Sequence, residues 1–213
     1  MKKLLLFIIL FTIFFKISAQ TKLYVHPDAD TYVKNTKTLA ILPLHVQLKL
    51  RPKKLKELTP EQIIKMGENE ALDIQKAMHS WFLTRKKRGT LLVDVQNPTK
   101  TNALLKKSGI DIHSYADYLP SELGKILGVE TIVTGTFETS KPMSSGAAVG
   151  LFLLTGFGFT TNSATMNMDF TSTTDNELVV NYLKKIRGSI GSDSQDLINI
   201  LMRKVSRRIP YTK

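Results

Sequence analysis

Runs of apolar residues alternate along this chain with segments whose apolar residues recur every three or four positions. Residues 38–46 form the first run, which is unbroken from Leu39 to Leu42 and alternates with polar residues beyond Pro43. An unbroken run indicates a strand buried on both faces, and alternation indicates a strand with one face in water. Because proline donates no hydrogen bond, Pro43 is expected at a bulge or at the end of a strand.

A long helix follows a basic connector. Thr59 is a candidate N-cap, with Pro60 in the first helical position and Gln62 three residues after the cap. The helix is predicted to run to about residue 87 and to stop at Gly89.

Shorter elements complete the pattern, and residues 20–37 are predicted to be an extended lead-in. Strands are predicted at 90–95, 129–140, 165–172 and 177–187, and helices at 99–107, 120–127 and 193–208. The last two strands form an antiparallel hairpin. Alternation of strands and helices implies crossover connections. We therefore expect one α/β domain over residues 38–213, with a mixed sheet of about five strands in two or three layers with flanking helices.

The N-terminus has the layout of a targeting signal. Two lysines follow Met1, residues 4–15 are apolar, and small residues end at Ala19. This layout predicts a secretory signal peptide over residues 1–19. This run of twelve residues spans about 18 Å as a helix, which is short of the ~30 Å hydrocarbon core of a bilayer. An uncleaved anchor stays open as the alternative, because Lys16 is unusually close to the cut.

The net positive charge of the chain indicates which kinds of partner it can bind. The chain has 30 Lys+Arg, 18 Asp+Glu, a formal charge of +12 and no cysteine. Removal of the signal peptide takes away three lysines and no acid, which leaves +9. An exported basic protein is expected to meet anionic lipid, cell-wall polymer or acidic protein rather than nucleic acid, unless its charge serves only solubility. The lack of cysteine excludes disulfides, thiol nucleophiles and a lipidated N-terminal cysteine.

Cations cluster at several places, among them 184–187 and 203–208. Two of the clusters fall at helix C-termini, where cations interact favourably with the helix dipole, so capping is the alternative to a binding role. The residues of the predicted basic surface are Lys53, Lys54, Lys56, Arg85, Lys86, Lys87 and Arg88.

One connection is unlike a loop. Residues 141–164 join two predicted strands, and no charge occurs between Gly146 and Phe159, whereas connections are usually short and polar. Fourteen residues reach about 21 Å, which is short for a membrane crossing. Three interpretations stay open: the segment crosses a membrane despite its length, packs against its own core, or presents an apolar surface to lipid or a partner. In the third case the contact residues are Val149, Leu151, Phe152, Leu153, Leu154, Phe157 and Phe159.

Catalytic and cofactor motifs are not found in the sequence. No histidine has a second ligand at metal-site spacing, and G-x-S-x-G and Walker patterns do not occur. We therefore predict no catalytic, cofactor-binding or metal-binding residues. The alternative is a small-ligand binder or hydrolase with a cleft near the ends of strands 38–46 and 90–95, which Asp94 and Asp111 would face.

The order of elements, the strand end Ile41-Leu42-Pro43 and the stretch Leu127–Gly135 (LGVETIVTG) resemble a family of bacterial envelope proteins. The family includes the curli secretion component CsgG, the peptidoglycan-synthase activator LpoB and the N-terminal domain of TolB, and the resemblance covers about residues 38–208. It implies an exported, non-enzymatic assembly factor, pore subunit or activator that works through contacts. Members are often lipid-anchored, whereas no cysteine follows this signal, so we expect a periplasmic or peripherally attached protein. A homo-oligomer is left open.

Overall fold

The computed structural model describes residues 21–50, 52–112, 114–139, 163–187 and 194–213. The predicted signal peptide and the apolar segment Gly146–Phe159 lie outside these ranges.

The described residues form one mixed sheet with helices on both faces. The strands are β1 (Thr21–Val25), β2 (Thr38–Ile41), β3 (His45–Leu48), β4 (Asp94–Val95), β5 (Thr131–Thr139), β6 (Ser163–Ser172) and β7 (Leu178–Arg187). The helices are α1 (Ala29–Asn35), α2 (Pro52–Leu55), α3 (Pro60–Lys87), α4 (Pro98–Lys107), α5 (Pro120–Leu127) and α6 (Ser194–Val205), with a 3₁₀ turn at Tyr115–Asp117.

The strand order is β1-β7-β6-β5-β2-β4, and β3 also pairs with β5. Strands β2, β3, β4 and β5 pair in parallel, while β5, β6, β7 and β1 pair antiparallel. The predicted α/β class with a mixed sheet and flanking helices is confirmed. The sheet has seven strands rather than about five, because the first run divides into two strands and the lead-in contributes β1.

A one-residue bulge divides the first apolar run at Pro43. Ile41 pairs with Val133, and pairing resumes with His45 opposite Thr136. From Ile41 to His45 the chain advances by four residues, while β5 advances by three from Val133 to Thr136. One extra residue on one strand of a pair defines a β-bulge. The prediction that Pro43 marks a bulge or a strand end is confirmed.

The sheet separates two apolar cores, so three layers are present where both faces are covered. Leu39 and Ile41 face a core formed with α1, α3 and α6, while Ala40 and Leu42 face a smaller core formed with α4 and α5. Neighbouring side chains of a strand point to opposite faces. The unbroken apolar run of β2 is thus buried on both sides, as its pattern predicted.

The expected extended lead-in contains a helix. Helix α1 packs Ala29 and Val33 into the larger core, and the Thr36 hydroxyl lies 2.8 Å from that of Thr131. Seven residues are too few for an apolar period to be read, which is why the pattern did not predict α1. The strand predicted at 90–95 is likewise shorter, since only the pair Asp94–Val95 joins the ladder.

Candidate functional site

Helices α3 and α6 pack side by side and run in the same direction. Trp81 Nε1 donates to Asn199 Oδ1 at 2.9 Å. One turn further along α3, Arg85 Nε donates at 3.0 Å to Oγ of Ser206, the residue just after α6. The later residue of α3 contacts the later residue of the α6 segment, so the two helices are parallel. Their C-terminal ends therefore lie next to each other.

These adjacent ends gather two basic clusters that are far apart in the sequence. We call the cationic residues at the two ends the basic pole. They are Arg85, Lys86, Lys87, Arg88, Arg203, Lys204, Arg207 and Arg208. The partially negative C-terminus of a helix favours a nearby cation by about 0.3–1 kcal/mol, so both helix ends tolerate this charge.

Arg85 is the structural member of the basic pole. Its residue surface is only 8% exposed, in contrast to the exposed position that the sequence predicted. The side chain is held by Ser206, and that bond joins α3 to the residue just after α6. Burial lowers the pKa of Arg85 from its ordinary value, and the charges of Arg88 and Arg207 lower it further. Cations from both helix ends therefore act on the same guanidinium group.

The other members from α3 face water. Lys86 forms an exposed ion pair with Asp94, and such pairs contribute little to stability. Lys87 and Arg88 are exposed, as are Arg203, Arg207 and Arg208 at the end of α6, while Lys204 is half-buried. The basic pole is thus a solvent-facing surface with one buried anchor.

The remaining predicted cations lie elsewhere. Lys53 and Lys54 belong to α2, and the exposed Lys56 follows it. They precede α3, whose 28 residues make a rod about 42 Å long at 1.5 Å per residue. The predicted basic surface is therefore divided between the two ends of this helix. The predicted apolar contact residues, from Val149 to Phe159, lie outside the described residues.

A small polar cleft lies at the amino ends of β2 and β5. Its volume is about 100 Å³, and its lining residues are Tyr32, Asn35, Thr36, Glu130, Ser172, Thr174 and Asp175. The Tyr32 hydroxyl donates to Asp175 Oδ2 at 2.9 Å. This hydrogen bond raises the pKa of Tyr32 to about 12, with smaller effects of burial and of neighbouring acids. Glu130 Oε2 accepts from the backbone N–H groups of Lys37 and Thr38 at 3.0 and 2.9 Å.

The two aspartates considered for a cleft have separate partners. Asp94 pairs with Lys86, and the carboxylate of Asp111 accepts from the backbone N–H of Ser114 at 2.8 Å. Among the described residues, no three histidine or acidic side chains come close enough to hold a metal ion. Within the same ranges, no helix is both long and apolar enough to cross a membrane.

Sequence reasoning identified the clusters at 85–88 and 203–208 but did not join them. A sequence signal for both clusters exists, because each of them lies at the C-terminal end of a predicted helix. What the sequence does not contain is the parallel packing of α3 on α6, which depends on contacts such as that of Arg85 with Ser206, 121 residues apart.

No protein-family model matches the chain, and no curated protein matches it in sequence. The fold is similar to that of a single-substitution variant of the PelC dodecamer from Paraburkholderia phytofirmans, with a TM-score of 0.50 and 9% identity over 91% of this chain and 99% of that chain. Lipoprotein GNA1162 from Neisseria meningitidis gives a TM-score of 0.47 and 10% identity over 81% and 97%. The LpoB C-terminal domain from Salmonella enterica gives 0.32 and 6% over 76% and 95%. The likeness to PelC is one of fold alone.

Proposed function

We propose that this protein is an exported, non-enzymatic component of the bacterial cell envelope that serves its assembly, secretion or maintenance through contacts. Its basic pole binds an anionic surface of the envelope, and this contact attaches the protein peripherally. The observation that carries the proposal is the convergence of exposed cations at the adjacent C-terminal ends of α3 and α6.

Charge supports this function physically. Each lysine or arginine close to an anionic membrane contributes about 1 kcal/mol of attraction, and the attraction falls off within a Debye length. Several exposed cations on one surface can therefore supply useful affinity together, whereas the same charges spread over the molecule cannot.

Export and self-association are parts of the proposal that rest on other observations. The charged, apolar and small-residue segments of residues 1–19 support export. PelC, which is similar in fold, forms a dodecamer. Self-association of this chain would present several basic poles at once and strengthen a weak surface contact by avidity.

Vesicle binding tests the proposal directly. The full protein without residues 1–19 is sedimented with phosphatidylglycerol vesicles and with phosphatidylcholine vesicles at rising salt. We expect binding to the anionic vesicles that weakens with salt. Lys87→Gln with Arg88→Gln should reduce that binding several-fold.

A matched control separates the basic pole from net charge. Lys106→Gln with Lys107→Gln removes the same charge from exposed residues at the C-terminal end of α4, on the opposite face of the sheet. This variant should bind like the unmodified protein. Equal losses in both double variants, or equal binding to neutral vesicles, would contradict the proposal.

A small-ligand binder is the second candidate function, and the polar cleft beside Tyr32 favours it. The cleft combines two carboxylates, those of Glu130 and Asp175, with several hydroxyl groups, and suits a small cationic or hydroxylated molecule. A thermal-shift screen of such molecules tests it, since a ligand that binds only the folded state raises the unfolding temperature. A shift that disappears in Asp175→Ala would favour this function.

A further inference from the structure

Strand β1 lies at one edge of the sheet, and its outer side pairs with no strand among the described residues. Free N–H and C=O groups at a sheet edge can pair with another chain, so natural edge strands are usually protected by proline, a bulge or several charges. Strand β1 pairs with β7 in unbroken register, contains no proline and has a single charge, Lys22. This edge is therefore weakly protected.

The side chains of β1 are exposed beside a buried neighbour. Leu23, Tyr24 and Val25 are 40%, 46% and 38% exposed. Their neighbours on the core side of β7, Val180 and Tyr182, are fully buried. Single exposed apolar residues are normal, but three in succession along a free edge indicate a contact surface.

The backbone of β1 presents a regular set of free groups on its outer side. The His26 N–H donates to the Val179 carbonyl at 2.9 Å, which makes these two residues a hydrogen-bonded pair at the end of the β1–β7 ladder. Such pairs alternate along an antiparallel ladder with pairs that make no hydrogen bond to each other. The residues of β1 whose N–H and C=O groups point away from β7 are therefore Thr21, Leu23 and Val25.

We propose that β1 pairs with β1 of a second copy of this chain, antiparallel and about a two-fold axis at Leu23. In this register Leu23 lies opposite Leu23 of the second copy, and Thr21 lies opposite Val25. All the outward backbone groups of β1 are then used, in about six hydrogen bonds. The interface is isologous, because the same strand serves on both sides, and it joins two seven-stranded sheets into one.

The charge of Lys22 favours this register over its neighbours. On the face of β1 opposite to the larger core, Lys22 of one copy lies beside Tyr24 of the other, and an amine is attracted to the face of an aromatic ring. An axis at Lys22 would set two lysines opposite each other, which is destabilising. An axis at Tyr24 would leave Thr21 and Lys22 without a partner in β1. Only the axis at Leu23 pairs all five residues and opposes no like charges.

The proposed pairing gives a surface to the self-association in the proposed function, but its test needs no vesicles. Five residues on each side make a small interface compared with those of stable complexes, so we expect weak association that increases with concentration. A dimer that binds no vesicles would leave the pairing standing while the surface contact fails. A vesicle-binding protein that is always monomeric in solution would do the reverse.

Sedimentation velocity of the protein without residues 1–19, over a wide range of concentration, tests the pairing. We expect a reversible equilibrium of monomer and dimer. Leu23→Pro removes an outward N–H group and should abolish the dimer, while the chain still folds because proline is tolerated on the solvent side of an edge strand. The unfolding temperature of the dilute monomer checks the fold. A protein that stays monomeric at every concentration, or a dimer that persists in folded Leu23→Pro, would overturn the inference.

Charge at position 24 tests the register. Tyr24→Glu places an acid opposite Lys22 of the second copy and should preserve the dimer, whereas Tyr24→Lys opposes two cations and should weaken it by roughly tenfold or more. Both variants remove the same ring from the same exposed position, so each controls the other, and high salt should reduce their difference. Equal dimer affinities at low salt would contradict the register.

A double variant excludes an effect of net charge alone. Lys22→Glu with Tyr24→Glu lowers the positive charge of the chain further, which by itself would reduce repulsion between two copies. In the proposed register it opposes two acids, so the dimer should again weaken. A stronger dimer in this variant would assign the effects at position 24 to net charge and overturn the register.

Single cysteines locate the axis, because the chain has none of its own. In Leu23→Cys the two Cα atoms at position 23 lie about 5.5 Å apart. In Val25→Cys, a position on the same face with similar exposure, the two sites are about 14 Å apart along the strands. A bis-maleimide linker shorter than that separation should join two copies of the first variant but not of the second. Equal yields of linked dimer would contradict an axis at Leu23.

Discussion

Two glycines in helices differ in whether their surroundings leave space for a side chain. A Cβ atom on Gly124 of α5 would lie 2.3 Å from the Cβ of Thr173, whereas one on Gly67 of α3 would come no closer than 3.8 Å to the Val46 carbonyl oxygen. Thr173 cannot easily move, because its hydroxyl donates to the Val129 carbonyl at 2.7 Å. Close packing between α5 and the β6–β7 turn therefore requires glycine at position 124.

This contrast gives a prediction with an internal control. Gly124→Ala should lower the free energy of unfolding by about 1–3 kcal/mol, because the overlap outweighs the gain in helix propensity. Gly67→Ala should raise it by up to about 1 kcal/mol, because the same gain comes without a clash. Urea denaturation measures both. If both variants shifted the midpoint of urea denaturation in the same direction, Thr173 would have to move away from position 124 at little cost.

Tyr32 should make stability depend on alkaline pH. Its pKa is about 12 in the folded chain, against about 10 for a tyrosine in an unfolded chain. The hydrogen bond to Asp175 needs the protonated phenol, so its contribution to stability is complete below pH 10 and is lost as the pH rises through 12. The folded protein should therefore lose stability across that interval.

Ultraviolet titration of tyrosine ionisation checks this. Tyr115, whose pKa burial also raises to about 12, ionises in the same range, so the difference between the unmodified protein and Tyr32→Phe isolates the signal of Tyr32. In Asp175→Ala that signal should move toward pH 10. A signal that stays near 12 would mean that burial, and not the hydrogen bond, controls the phenol.

At the scale of elements, the start of α3 is the clearest case of a helix end that is determined by neighbouring residues. The Thr59 hydroxyl accepts from the Gln62 N–H at 3.3 Å, and the Gln62 side chain accepts from the Thr59 N–H at 2.8 Å. This is the reciprocal capping box that the sequence predicted. Thr59→Ala should cost about 1 kcal/mol of stability in urea denaturation, and Thr59→Ser should cost little. Equal losses in both variants would indicate that the threonine methyl group, and not the hydroxyl, stabilises this end.

Helix ends that are determined by residues within one helical turn could be predicted from the sequence. Elements that depend on contacts with distant residues could not. Caps at Thr59 and Asn97 and the left-handed Gly128 after α5 follow from residues within one helical turn. Helix α1 instead depends on the sheet that covers Ala29 and Val33, and a seven-residue helix is marginal without such packing.

The same limit applies to the candidate site. Clusters of cations are visible in any sequence, but which ones converge is decided by how helices pack. The inward position of Arg85, for example, depends on its hydrogen bond to Ser206, which is 121 residues away in the sequence. Composition therefore predicted an anionic partner, whereas the surface that would bind it became visible only in three dimensions.

At the scale of the whole molecule, we predict that the apolar segment Gly146–Phe159 can be deleted without loss of the sheet. Strands β5 and β6 pair in continuous register up to Thr139 opposite Ala164. Deletion of residues 146–159 leaves nine residues between Thr139 and Ser163, which is an acceptable connection between adjacent antiparallel strands. We therefore expect the deletion variant to unfold cooperatively and close to the temperature of the unmodified protein.

Binding to phosphatidylglycerol vesicles then separates the core and the surface interpretations of this segment. If it is a contact device, the folded deletion variant binds more weakly, and the remaining binding is still removed by salt because the basic pole is intact. Apolar insertion is insensitive to salt, so the salt-resistant part of binding should be the part that disappears. A variant that fails to fold would instead assign residues 146–159 to the core, and all surface contact would then fall to the cations at the ends of α3 and α6.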